Sequence, residues 1–349
     1  MLLNLQSTRH PRRKAFKVVR DSGLLCLLFL AGIAPGHAQG QFSTRLWRAE
    51  NGLPVNEVRS IVQGADGHLW IATPEGVLRF DGFRFETATG LPPLPPGGNT
   101  LRLFATSDGG IWLASSTGGL SRIDGLAVTK NWSLPGGPGT SPITQLTEGP
   151  AGQILVRWQD QVWSLNGESL TLIDSPREDQ LSKVASDLSE RARSGRLDAD
   201  GKAHPLTDRG GSRWIPGEET GLTVTSPGGT PRPVALPNIG TGFEVTEMLE
   251  DREGNIWVAT KLFGLALFRE DRAEIVAVSG DQSTATVVRE DSRGNVWVAL
   301  EDGGVRQFGK DAVRNHDLPG RIATLYEDRS GGLWAGTKDG PLLRWMGWR

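Results

Sequence analysis

The sequence has 349 residues, with 38 Lys and Arg against 40 Asp and Glu, a formal net charge of −2, and one Cys. That slightly acidic balance excludes a class that lives on polyanions, such as a nucleic-acid-binding protein. The single Cys excludes a disulfide framework, and the length is ample for a large core.

In chain order, residues 1–38 have the layout of an export signal. Arg9, Arg12, Arg13, Lys14, Lys17 and Arg20 form a basic region and Gly23 to Ala34 a short apolar one, while Gly36-His37-Ala38 offers small residues for cleavage before Gln39. The apolar run is too short to span a bilayer comfortably, so cleavage is expected rather than a retained anchor. Leu25 ahead of Cys26 is too large for a lipoprotein site. Removing six basic residues and one acidic residue leaves 32 Lys and Arg against 39 Asp and Glu, a net charge of −7, on a chain without cysteine. The expected product is periplasmic, with residues 39–349 as one domain.

Phe42 to Trp47 alternates like a strand, and repeats follow. Gly64 to Thr73 reads GADGHLWIAT and Thr106 to Ser115 reads TSDGGIWLAS; later come Asp251 to Thr260, DREGNIWVAT, Asp291 to Leu300, DSRGNVWVAL, and Asp328 to Thr337, DRSGGLWAGT. A period near 40 residues is the mark of a repeat architecture. Leu155 takes the Trp place in a third copy. A fourth is marked either by Trp214 or, with other strands, by a turn at Leu197 to Lys202, and the sequence leaves both open. Pro- and Gly-rich segments at Leu91 to Gly98 and Leu134 to Pro142 read as loops. Ser175-Pro176-Arg177-Glu178 reads as a helix start, predicting one short inserted helix from Pro176 to Arg193.

Within one copy, Asp followed three residues later by Gly suits a tight turn. The apolar run after it suits a strand covered on both faces. A further Gly, as in Gly76-Val77 or Gly264-Leu265, turns the chain again, and Asp81-Gly82 signals a hairpin. Each copy is a meander too small to bury both faces alone, so the copies pack around an axis. The prediction is an all-β fold, a seven-bladed β-propeller of four-stranded antiparallel blades. The last repeat supplies three strands, Ile322 to Glu327, Leu333 to Thr337 and Leu342 to Trp345, so the N-terminal strand is expected to close the last blade.

The run Leu46 to Val58, LWRAENGLPVNEV, followed by Gly67 to Thr73, GHLWIAT, and Gly76 to Gly82, GVLRFDG, resembles the two-component regulator propeller family. The resemblance covers most of residues 42–349 and is weak from about residue 150 to 240. It implies the extracytoplasmic sensor of membrane-bound histidine kinases and diguanylate cyclases. Family sensors carry a β-sandwich, a membrane helix and an output domain after the propeller. None is legible here, so the resemblance implies the sensing module alone, either a free periplasmic protein or a fragment of a longer sensor.

The repeated Trp residues read as inter-blade core rather than sugar platforms. The Asp residues read as turn caps rather than Ca²⁺ ligands, since no copy has the carboxylate density of a Ca²⁺ loop. His68, His204 and His316 fall in a turn, before a Pro and in a loop, and no metalloprotease or nucleophile motif appears. Neither a catalytic residue, a metal nor a cofactor is expected. Ligand-binding candidates are the polar residues at the starts of the innermost strands, Asn56, Arg59, Arg102, Gln145, Glu244 and Arg321, and at the Gly turns, Glu75, Lys261, Glu301 and Lys338. Both groups fall on one face of a propeller. Arg59, Arg102 and Arg321 are expected to lie together and anchor the ligand, because Arg offers a fixed fork of donors. The reading is a ligand-binding sensor module for a small molecule or oligosaccharide. A membrane sensor kinase or cyclase partner and a homodimer are open options. An interaction scaffold or a lyase of the streptogramin-inactivating type are the alternatives.

Overall fold

In a computed structural model, residues 43–91, 102–115, 118–134, 143–149, 152–158, 161–173, 203, 205–217, 221–269, 272–276, 283–310 and 312–346 are described. They form seven sheets of four antiparallel strands each. The first strands of blades 1 to 7 are Ser60–Gln63, Arg102–Ala105, Ile143–Glu148, Leu206–Thr207, Val245–Glu250, Ala285–Glu290 and Ile322–Glu327. These lie innermost: the first strand of blade 1 packs on those of blades 2 and 7, and that of blade 6 on those of blades 5 and 7.

The second strands show why the sequence folds this way. Leu69–Thr73, Ile256–Thr260, Val296–Leu300 and Leu333–Thr337 are buried at every residue, as an all-apolar run flanked by two blades requires. Their tryptophans Trp70, Trp257, Trp297 and Trp334 are buried, as is Trp112 of blade 2. The core is therefore not central but divided between neighbours. Trp257 of blade 5 packs with Ala285 and Val288 of blade 6, and Trp297 of blade 6 with Ile322 and Leu343 of blade 7.

The last blade is closed as expected. Ser43–Trp47 pairs antiparallel with Leu342–Met346, with Thr44 opposite Trp345 and Leu46 opposite Leu343. Trp47 is buried and stacks on Trp334 at 5.2 Å between ring centroids. The fourth copy is settled in favour of Trp214, which pairs with Leu206 on one side and Val224 on the other. His316, expected in a loop, lies in the outer strand of blade 6, Val313–Asp317, and stacks on Trp297. The export signal, the helix from Pro176 to Arg193, the alternative turn at Leu197 to Lys202 and His204 lie outside the described residues.

Candidate functional site

The two ends of the ring differ in kind. At one end the innermost strands begin and the second strands turn into the third, and backbone bonds tie the two features together. Lys261 N donates to Glu244 O at 2.9 Å and Lys338 N to Arg321 O at 2.7 Å. This end holds the sequence-derived candidates. Glu244 and Lys261 are brought together as an exposed ion pair at 3.0 Å. Arg321 is held by Asp339 at 3.0 Å, and Arg59 by Glu57 at 2.7 Å. Asn56, Glu75, Glu301 and Lys338 are exposed. Arg102 is half-buried at the start of its strand, and Gln145 stands opposite Arg157 in blade 3. The exposed pairs of Lys261 and Arg321 contribute little to stability, while that of Arg59 is part-buried, and this end is a polar rim.

At the opposite end the Asp turns connect blade to blade. Asp251 Oδ1 accepts from Glu253 N and Asn255 N, while Oδ2 accepts from Trp257 Nε1 at 2.7 Å. Asp291 with Trp297, Asp328 with Trp334 and Asp208 with Trp214 repeat that indole bond. One carboxylate thus fixes both the turn and the buried ring six residues on. Burial opposes ionisation of Asp328, but hydrogen bonds from Ser330, Trp334 and Gly332, with the Arg344 charge, outweigh it and hold the carboxyl below its usual range.

The residue before the Asp, or before the Gly that takes its place in blades 1 and 3, then reaches the preceding blade. Glu250 accepts from Arg209 N, Glu290 from Arg252 N, Glu327 from Ser292 N, and Glu148 from Ser107 N; Gln63 accepts from Arg329 N across the closure. Arg side chains run the other way, Arg209 to Arg252 O, Arg252 to Ser292 O and Arg329 to Ala65 O. Sequence reasoning missed this chain of latches. Its signal was a Glu directly before the Asp in three copies, Glu250, Glu290 and Glu327.

A cavity of about 480 Å³ opens at this end, walled by the inner strands and turns of blades 6, 7, 1 and 2. Val62, Phe104, Leu325 and Leu333 supply apolar wall, and Gln63, Arg289, Glu290, Tyr326, Glu327 and Arg329 polar wall. None of the ten candidates from the sequence lines it. Arg289 is buried and donates to Glu247 at 2.7 Å, and Glu247 also accepts from Val288 N. Burial pushes the Glu247 carboxyl up, against the Arg289 charge, the Val288 amide and the field of Arg102. Arg289 Nε–H has no acceptor among the described residues. Tyr326 Oη accepts from Gln63 N at 3.0 Å, and burial raises its pKa, so the phenol keeps its proton. Among the described residues no three His, Cys, Asp or Glu side chains are grouped to hold a metal ion, and no helix is long and apolar enough to cross a membrane.

Fold and turns together define a seven-bladed β-propeller built from Asp-turn repeats. Residues 52–75 match the model of the two component regulator propeller family. Among solved structures, the extracellular domain of a hybrid two component system from B. thetaiotaomicron is similar at 21% identity, with a TM-score of 0.59 over 87% of this chain and 42% of that one. The extracellular domain of a one component system from the same organism is similar at 15% identity, TM-score 0.58, over 87% and 39%. A virginiamycin B lyase from Staphylococcus aureus is similar at 11% identity, TM-score 0.59, over 88% and 99%. The chain thus spans less than half the length of the two extracellular domains. No curated protein sequence matches it.

Proposed function

We propose that the chain is a ligand-binding sensor module that acts in the periplasm. It takes a small molecule or oligosaccharide at the centre of the ring and passes binding on through a partner or an output domain. The observation that carries this reading is a mixed polar and apolar cavity at one end of a seven-bladed ring in which residues 52–75 match the two component regulator propeller model. Its size falls within the range of small-ligand sites. The rim residues Arg59, Arg102 and Arg321 are the second place where a ligand would be held.

A thermal-shift screen of oligosaccharides and small metabolites tests the reading, run on the wild type and on an Arg59/Arg102/Arg321 triple Ala variant. A saturable rise in Tm for some compound is expected, and a screen in which none shifts the wild type overturns it. The lyase reading draws on a propeller likeness that covers nearly all of the lyase chain. In that lyase a His-to-Ala variant is described as catalytically inactive. Among the described residues, His68 is engaged with Asp66 in a turn and His316 stacks on Trp297, and neither lines the cavity. No cleavage of virginiamycin B is therefore expected, as read by mass spectrometry against a catalyst-free control.

A further inference from the structure

The latch that ties turn to turn is missing at one described junction. Between blades 1 and 2 the two latch places are held by Ala65 and Ala105, neither of which has a side-chain acceptor or a guanidinium. Ala105 is a wall residue of the 480 Å³ cavity. The cavity therefore opens where the repeat departs from its own pattern, while the neighbouring junctions stay latched through Ser292 to Glu327 and Arg329 to Gln63.

The wall chemistry is selective. Arg289 carries a positive charge already balanced by Glu247 at 2.7 Å. Of the other charged wall residues, Glu290 is paired with Arg252 and Asp328 with Arg344, and Asp291 and Glu327 still outnumber Arg329, so an anion entering here meets net negative charge. Two donors remain unspent. The Tyr326 oxygen accepts from Gln63 N, which leaves its O–H to donate. In the same wall, Arg289 Nε–H is buried without an acceptor among the described residues, and a buried donor left unmade is costly. Phe104 and Leu325 offer apolar surface beside these donors.

We propose that this cavity, at the Asp-turn end and not at the rim of strand starts, binds an uncharged small molecule that presents a carbonyl-type oxygen to Tyr326 and lays an apolar or aromatic face against Phe104 and Leu325. The proposal rests on the ligand-sensing reading and specifies its site and ligand class. Tyr326 is the direct donor, and Arg289, tied to Glu247 at 2.7 Å, stands in the same wall. Glu247 keeps that guanidinium from acting as an anion site.

The test uses benzamide and its anionic isostere benzoate as probes, with binding read by ligand-observed NMR titration on the whole chain. Benzamide is expected to bind saturably, and benzoate about tenfold more weakly or worse. Tyr326→Phe should weaken benzamide about fivefold, the loss of one neutral hydrogen bond. Ala105→Phe, which fills the cavity from a residue that makes no latch, should abolish binding. The Arg59/Arg102/Arg321 triple Ala variant should bind benzamide like the wild type. Circular dichroism confirms that each variant is folded, and Ala105→Leu replaces Ala105→Phe should the latter not fold. Absence of benzamide binding, benzoate binding as tightly as benzamide, or undiminished binding to the filled variant overturns the proposal. A metabolite from the screen that binds the filled variant but not the triple variant overturns it too, while leaving the sensor reading intact.

Discussion

Asp291 accepts from Arg293 N and Asn295 N with one oxygen, and from Trp297 Nε1 with the other. Asn295 Nδ2 donates to that second oxygen as well, so Asp291→Ala leaves four donors without their acceptor, three of them in a tight turn. The expected loss is about 1–3 kcal/mol in urea unfolding. Trp297→Ala should cost about 3–5 kcal/mol by the same measurement, as for any truncated buried aromatic; a loss near zero would contradict its place in the core. Asp328 adds a pH dependence with a definite sign. Its carboxyl is depressed in the folded protein, so the stability it contributes is full above the unfolded value near pH 4 and is lost as pH falls through the folded one. In Asp328→Asn the drop in Tm below about pH 4 should be shallower than in the wild type. The turn role of these Asp residues was legible from the Asp-x-x-Gly spacing. The indole bond was not, because it depends on the strand folding back so that residues six apart face each other. In blade 2 the position is Thr106, and Trp112 Nε1 is buried without a partner among the described residues.

At the scale of the element, the closing strand and the latches hold the blades. Ser43–Trp47 gives the last sheet its outer strand, and its Trp47 joins a core with Trp334, Ile61 and Leu69. Deleting residues 39–48 should lower Tm sharply and promote aggregation along the uncovered edge of Leu342–Met346. Scanning calorimetry and light scattering read both effects, and unchanged melting would contradict them. This strand was legible because the final repeat runs one strand short. The latches were harder to see. Glu250, Glu290 and Glu327 look like solvated charges in the sequence, and only the packing of one blade beside the next shows that each accepts from a neighbour's turn. Replacing Glu290 with Ala should cost about 1 kcal/mol in urea unfolding, in keeping with one exchanged hydrogen bond.

Across the whole molecule, the blade count and the division of the core between neighbours follow from the period and the all-apolar strands. The cavity does not, because its walls come from Val62, Phe104, Arg289 and Tyr326, residues of four different blades that no local pattern connects. The rim candidates were placed by a sound topological rule, since the strand starts and Gly turns do share one end. That rule ranks polarity, however, and not enclosure, and enclosure appears at the other end.

The pairing of Thr44 with Trp345 and of Leu46 with Leu343 also sets a clock. These contacts join segments almost a whole chain apart, the kind of closure whose entropy makes folding slow. Blades 1 to 6 form from local hairpins and can assemble as the polypeptide emerges. The last blade must wait for Leu342–Met346 to be made, with the Ser43–Trp47 strand held unpaired until then. The protein is therefore most exposed to misassembly between synthesis of its first strand and of its last. Refolding should show a slow final phase, reported by the burial of Trp47, that follows the gain of most of the β-structure.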